Sequence, residues 1–178
     1  MKFKVFRFKK VNSTNRTAIK IIKNSNIKYG MIVAQTQYKG KGQYGRKWIS
    51  YKGNLFVSFF YTLENLNLSI SKLTRINCLL VKKLISIYYK KKIYYKKPND
   101  LLINKKKICG ILQEKVDKFE KNYLIVGIGI NLIKSPIIED YLTTNLYELI
   151  KKKVSKKIIE NKLKNIFQKE LTKLYKSY

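Results

Sequence analysis

Apolar positions along this chain recur with two periods, and the switches between them divide it into elements. Lys2–Phe8 alternates apolar and basic residues with the period of a half-buried strand. Asn12 or Ser13 is placed to cap a helix reaching about Lys23, with Ala18, Ile19 and Ile22 on one face. Met31–Thr36 and Asn54–Tyr61 are β-prone runs separated by a polar, glycine-spaced loop, Lys39–Lys52. Ser71 opens a helix to about Tyr89 in which Leu73, Ile76, Leu80, Leu84 and Ile87 form a stripe. Ile93–Lys96 follows, then a hairpin of Leu101–Ile103 and Lys107–Glu114 around the polar turn Asn104–Lys106. Tyr123–Ile130 is a further strand, and Ser155–Tyr175 is an amphipathic helix. Strands grouped with flanking helices, rather than alternating strictly with them, predict an α+β fold. Neither a repeat nor a Pro/Gly/Ser-rich linker interrupts the pattern, so residues 1–178 are expected to form a single domain.

Composition narrows the chemistry. The chain has 178 residues, 45% of them apolar, enough for one ordinary core. It contains no histidine, which removes Ser-His and Cys-His pairs, histidine bases and histidine metal ligands. Cys78 and Cys109 stand far apart and form no CxxC pattern, so neither a disulfide framework nor a zinc site is expected. No apolar run has the length of a membrane span, and the N-terminus lacks a signal core, so the expectation is a soluble, cytoplasmic protein without a membrane partner. The net charge of +30 points toward phosphate. Its source is mostly Lys scattered among Ile, Asn and Tyr, whereas specific base recognition leans on Arg. Weak nonspecific binding is therefore expected, with no specific DNA partner. Catalysis must rest on positioning, backbone donors and cations.

Three segments carry candidate chemistry. In Gln37–Trp48, the glycines Gly40, Gly42 and Gly45 allow close backbone approach, and Lys41, Arg46 and Lys47 supply cations, a combination suited to a phosphate or an activated carboxylate. Trp48, the only tryptophan, closes the loop and suits a purine ring, or else serves as a core residue at the loop's base. In Lys96-Lys97-Pro98-Asn99-Asp100, proline biases Lys97 toward an extended conformation and Asn-Asp favours a turn. In Gly127-Ile128-Gly129-Ile130-Asn131, strand glycines permit close approach and Asn131 offers a neutral donor and acceptor.

Taken in order, these segments resemble biotin–protein ligases. Ser13-Thr14-Asn15 is similar to the family's Ser-Thr-Asn motif, Gly40–Trp48 to GRGRxGRxW, and Lys96–Leu101 to KWPNDL. Lys107–Leu112 is similar to K-x-x-GIL, and Gly127–Asn131 to GxGIN. The resemblance implies the biotin/lipoate ligase catalytic fold, with a mixed, mainly antiparallel sheet flanked by helices. It implies ATP and Mg²⁺ as cofactors, biotin as substrate and a biotin carboxyl carrier domain as acceptor, docked at an exposed sheet edge. A homodimer is left open. By resemblance, Ser13, Thr14, Asn15, Gln37, Gly40, Lys41, Gly42, Lys96 and Gly110 would contact biotin. Lys41, Gly45, Arg46, Trp48, Asn99 and Asn131 would contact ATP or the adenylate, with Lys96 and Arg46 as the catalytic cations. No metal ligand is identified.

Departures from the pattern carry expectations of their own. Gln43 stands where the family usually has its second loop arginine, so looser retention of the adenylate is expected. Lys97 replaces the tryptophan of KWPNDL, which leaves one apolar wall of the biotin pocket open to question. The chain is expected to be a catalytic domain alone, without the N-terminal helix-turn-helix or the small C-terminal β-domain that many members carry. Rival readings are a lipoate or octanoate ligase or transferase of the same fold, a basic nucleic-acid-binding protein, and a degenerate ligase that binds biotin without turnover.

Overall fold

A computed structural model describes residues 1–64, 66 and 68–177. Seven strands form one sheet: β1 (Lys4–Val11), β2 (Tyr29–Gln37), β3 (Leu55–Thr62), β4 (Tyr94–Lys96), β5 (Asp100–Ile103), β6 (Lys106–Lys118) and β7 (Lys121–Ile130). Their spatial order is β1-β2-β3-β7-β6-β5-β4. β1 and β2 run parallel, and every other neighbouring pair is antiparallel. The helices are α1 (Thr14–Asn24), α2 (Ile70–Ser86), α3 (Leu146–Ile150) and α4 (Lys156–Lys176). This is the α+β class that the apolar pattern predicts, with the mixed, mainly antiparallel sheet that the resemblance implies.

Helices cover both faces of the sheet. On one face, Leu73, Val81 and Leu84 of α2 and Leu163 and Phe167 of α4 pack on Val57, Phe59, Val126 and Ile128. Phe59 and Phe167 stack with ring centroids 4.2 Å apart and planes 4° from parallel. On the other face, Ala18 and Ile22 of α1 meet Ile32, Phe60 and Ile125 in a smaller cluster. β3 lies between the two layers, and all eight of its residues are buried. That explains why its residues do not alternate between apolar and polar, with Ser58 alone breaking the run from Leu55 to Tyr61, since a strand covered on both faces has no polar face to alternate with. The short α1 covers only part of its face, and the cleft described below opens beside its N-terminus. Among the described residues, no helix is long and apolar enough to cross a membrane.

Several boundaries are set by strand pairing and helix capping rather than by the apolar pattern. β1 extends to Val11 because the parallel ladder continues to Val11↔Gln37, which brings Gln37 beside the start of α1. α2 is capped by Ser69, whose hydroxyl accepts from Lys72 N–H at 3.2 Å, rather than by Ser71. It ends at Ser86, leaving Ile87, expected on its apolar stripe, exposed. β6 runs four residues beyond Glu114, because β7 pairs with it as far as Lys118↔Lys121. The five-residue α3 is too short for its period to register in sequence.

Candidate active site

Three strand glycines form the floor of the cleft. Gly110 and Gly129 are register partners on β6 and β7, and together they make a flat patch without side chains. The Trp48 indole lies on it: a Cβ added at Gly129 would sit 2.4 Å from the ring, and one at Gly110 would sit 2.7 Å away. At Gly127 an added Cβ would meet Asn15 Oδ1 at 2.3 Å. The close approach foreseen at the GIGIN segment is thus made by this chain's own Trp48 and Asn15.

The entry to α1 forms one wall. Ser13 is the N-cap, accepting from Arg16 N–H at 3.5 Å. Gln37 Oε1 accepts from both the Thr14 backbone N–H at 2.7 Å and the Thr14 hydroxyl at 3.1 Å. Asn15 Nδ2 donates to Glu114 Oε2 at 2.6 Å, which turns its Oδ1 toward the Ser58 hydroxyl, a donor 2.6 Å away. Ser58 Oγ also lies 2.7 Å from Thr14 Oγ1, so the single Ser58 hydroxyl proton is shared between Asn15 and Thr14, while Thr14 donates its own to Gln37. The result is a neutral wall of hydroxyls and amides, with Ser13, Thr14 and Asn15 all buried.

The glycine loop covers the opposite side. It closes on itself through Gly42 N–H to Arg46 O at 2.7 Å and Trp48 N–H to Gly40 O at 2.9 Å, with Lys41 and Lys47 bridged across its neck. A single 3-10 turn, Gln43–Gly45, forms the tip, where Tyr44 (φ 54°) and Gly45 (φ 74°) are both left-handed and Tyr44 is 90% exposed. Gln37 Nε2 reaches the Ser50 hydroxyl at 3.1 Å and so ties the neutral wall to the base of the loop.

Between wall and loop lies an ammonium group. Lys107 Nζ is 2.8 Å from Asp100 Oδ1, in an ion pair whose side chains are only 16% and 22% exposed. The same Nζ sits 5.5 Å from the Trp48 ring centroid and 5.1 Å from that of Tyr141. Its backbone is held as well, because Lys107 N–H donates to Leu142 O at 2.8 Å and Lys107 O accepts from Thr144 N–H at 3.0 Å. Lys96, by contrast, ends β4 at the rim and is exposed.

Residues 7–131 match the family described as Biotin/lipoate A/B protein ligase. The chain belongs to this family. It is 30% identical over 125 residues to the Bifunctional ligase/repressor BirA of Escherichia coli (strain K12), covering 68% of this chain and 38% of that protein. It is 27% identical over 130 residues to the Biotin--[acetyl-CoA-carboxylase] ligase of Paracoccus denitrificans, covering 71% of this chain and 54% of that one. The chain therefore spans only about a third to a half of these curated relatives. Among solved structures, it superposes on the biotin protein ligase from Aquifex aeolicus in complex with biotin and ATP with a TM-score of 0.81 and 31% identity. That superposition covers 97% of this chain and 72% of the Aquifex chain.

Most of the residues that resemble ligase motifs converge in this member of the family. Ser13, Thr14, Asn15, Gln37, Lys41, Gly42, Arg46, Trp48, Lys96, Asn99 and Gly110 line one cleft of about 200 Å³. Gly40 and Gly45 do not line it: Gly40 is buried at the loop's neck, and Gly45 lies at its tip. Asn131 lies in a small adjoining cavity that shares Trp48, Lys107 and Tyr141 with the cleft. It is 2% exposed, with Nδ2 donating to Thr144 O at 3.2 Å and Oδ1 accepting from Asn54 at 3.4 Å, so it ties the segment before α3 to the start of β3 as well as lining the cavity. Asn99 braces similarly, donating to Ile111 O at 2.7 Å.

Sequence reasoning missed Lys107, Asp100, Ser58, Glu114 and Tyr141 as site residues. The signal for Lys107 was present, since it opens the K-x-x-GIL match, but only the fold sets it beneath the loop. Cys109 is excluded as a nucleophile: it is fully buried on the core face, and burial pushes its thiol well above the usual range. Among the described residues, no group of three Asp, Glu, Cys or His side chains is arranged to hold a metal.

Proposed function

We propose that this chain is a biotin–protein ligase that forms biotinyl-5'-AMP from biotin and ATP and passes biotin to a lysine on a carrier domain. The observation that carries this reading is the half-buried Lys107 ammonium between the neutral Ser13/Thr14/Gln37 wall and the cationic loop over Trp48. The neutral wall suits the ureido ring of biotin, which needs donors and acceptors without charge. The loop and Trp48 suit a nucleotide, and the Aquifex relative was solved with both ligands.

Chemistry follows from that order. A biotin carboxylate oxygen attacks the α-phosphorus of ATP, and the bond to the β-phosphate breaks with its electron pair leaving on pyrophosphate. Lys107 and Arg46 sit where they would meet the negative charge that grows on the α-phosphate. Lys107 is the better placed of the two lysine candidates, since the exposed Lys96 has more water to screen it. The acceptor's neutral amine then attacks the acyl carbon, the bond to AMP breaks, and a proton is released as the amide forms. Holding the mixed anhydride under a loop that excludes water supplies much of the remaining acceleration. Mg²⁺ enters as part of the ATP substrate. The nearby carboxylates are committed, Asp100 to Lys107 and Glu114 to Asn15, so no step is assigned to a protein-held metal.

For the acceptor, a free strand edge supports docking. β6 outruns β5, and its outer edge over residues 113–118 has no strand partner among the described residues. A cytoplasmic location, where ATP and a carrier domain would meet, fits the same reading.

The test is label transfer from biotin to a purified carrier domain with ATP and Mg²⁺. Lys107→Ala is expected to lower adenylate formation by at least about 100-fold, the scale of losing one charged donor to a transition state. Lys96→Ala should cost less. Equal activity in Lys107→Ala and the parent chain would remove Lys107 from this role.

A further inference from the structure

A second concavity opens beside the cleft. Lys72, Arg75 and Lys97 line a groove of about 790 Å³ together with Ser71, Thr74 and Tyr95. It shares Gln43, Lys97 and Pro98 with the cleft, so the two are continuous around the Lys97–Pro98 turn. That turn is buttressed by the Tyr95 hydroxyl, which donates to Pro98 O at 2.5 Å.

The charge in this groove is one-sided. No carboxylate lines it, and none of its three cations forms an ion pair among the described residues, whereas Lys107 is matched by Asp100. Cations that line a concavity without partners raise its potential and favour entry of an anion. The two departures from the family pattern also meet here. Gln43, which stands where the loop usually has an arginine, faces the same space as Lys97, which stands where a tryptophan is usual.

We propose that this groove is the subsite for the pyrophosphate half of ATP. Lys97 sits at the junction and takes over the charge that Gln43 does not supply, with Arg75 and Lys72 behind it. The proposal rests on the ligase reading. When the carboxylate oxygen bonds to the α-phosphorus and the bond to the β-phosphate breaks, the electron pair leaves on pyrophosphate, and these cations receive it. A pyrophosphate chain reaches the groove by continuity, because its α-phosphorus end lies under the loop and the junction at Gln43 and Lys97 leads outward. An acidic protein surface has no such reason to pass through that junction.

The experiment uses the whole chain and inorganic pyrophosphate as the probe, measured by calorimetry, with biotin binding measured in parallel. Lys97→Gln and Arg75→Gln are each expected to weaken pyrophosphate binding roughly tenfold, the loss of one charge-assisted contact, while biotin affinity stays within twofold in Arg75→Gln, whose side chain lies outside the cleft. Lys97→Arg should restore binding. Lys20→Gln, on the exposed face of α1, should leave it unchanged, because general attraction to a basic protein does not depend on one position. The proposal is overturned if the parent chain does not bind pyrophosphate, or if Lys97→Gln and Arg75→Gln bind it as the parent does or lose no more than Lys20→Gln. Pyrophosphate binding that depends on Lys97 in a chain that forms no biotinyl-adenylate would sink the ligase reading and overturn the leaving-group assignment with it.

Discussion

Gly129 has no side chain because Trp48 occupies the space where one would be. An alanine there would bring its Cβ within 2.4 Å of the indole, closer than real Cβ contacts come, so the ring must tilt or the strands must part. Gly129→Ala is expected to cost about 1–3 kcal/mol of stability, as overpacking does, and to weaken ATP binding more than biotin binding. Thermal unfolding and calorimetry with each ligand check this, and equal losses for both ligands would contradict it. At this scale the sequence was informative about residue type and poor about partner. The glycines of the GIGIN segment were read correctly as sites of close approach. What approaches them depends on a loop some eighty residues earlier in the chain, and no local pattern encodes that. Ser58 and Glu114 went unread for the same reason. Each is an ordinary strand residue until the fold sets it against Thr14 and Asn15.

The turn after β7 depends on Asn54, which precedes β3. The buried Asn54 Oδ1 accepts from the backbone N–H groups of Leu132, Ile133 and Lys134 at 3.0, 3.0 and 3.2 Å, and its Nδ2 donates to Lys134 O at 2.6 Å. That turn leads into the segment carrying Pro136, Ile138 and Tyr141, which walls the small cavity beside Trp48 and Lys107. Asn54→Ala would leave several buried donors without an acceptor, a cost of about 3 kcal/mol. A fall in Tm of ~6–12 °C is expected, with a higher KM for ATP and little change in KM for biotin. Unchanged ATP kinetics in a folded variant would detach this turn from the nucleotide side. Elements were more legible in sequence than these ties between them. Long apolar runs such as β3 and the periodic stripe of α4 announced themselves. The parallel pairing of β1 with β2 did not, because it is decided by a partner distant in the chain; α3 is too short for its period to show, and the end of β6 is set by its hairpin pairing with β7.

Across the whole molecule, the net charge of +30 acts on the fold as well as on ligands. The seven ion pairs among the described residues are mostly exposed, so they do little to offset the mutual repulsion of so many lysines. Repulsion between exposed charges is long-ranged at low ionic strength and fades once the screening length falls below their spacing, roughly 30 Å at 0.01 M salt and about 8 Å at 0.15 M. Raising salt between those limits is therefore expected to stabilise the fold by about 1–2 kcal/mol, a rise in Tm of ~3–6 °C. A protein held together by surface ion pairs would move the other way. The same titration tests the nucleic-acid reading. Contacts that rest on scattered lysines weaken steeply with salt, so duplex DNA bound at 0.01 M should be released by 0.15 M, while biotin affinity, resting on the neutral wall beside α1, should hardly change. DNA retained at the higher salt, with biotin binding absent, would mean that the charge rather than the cleft is what this molecule uses.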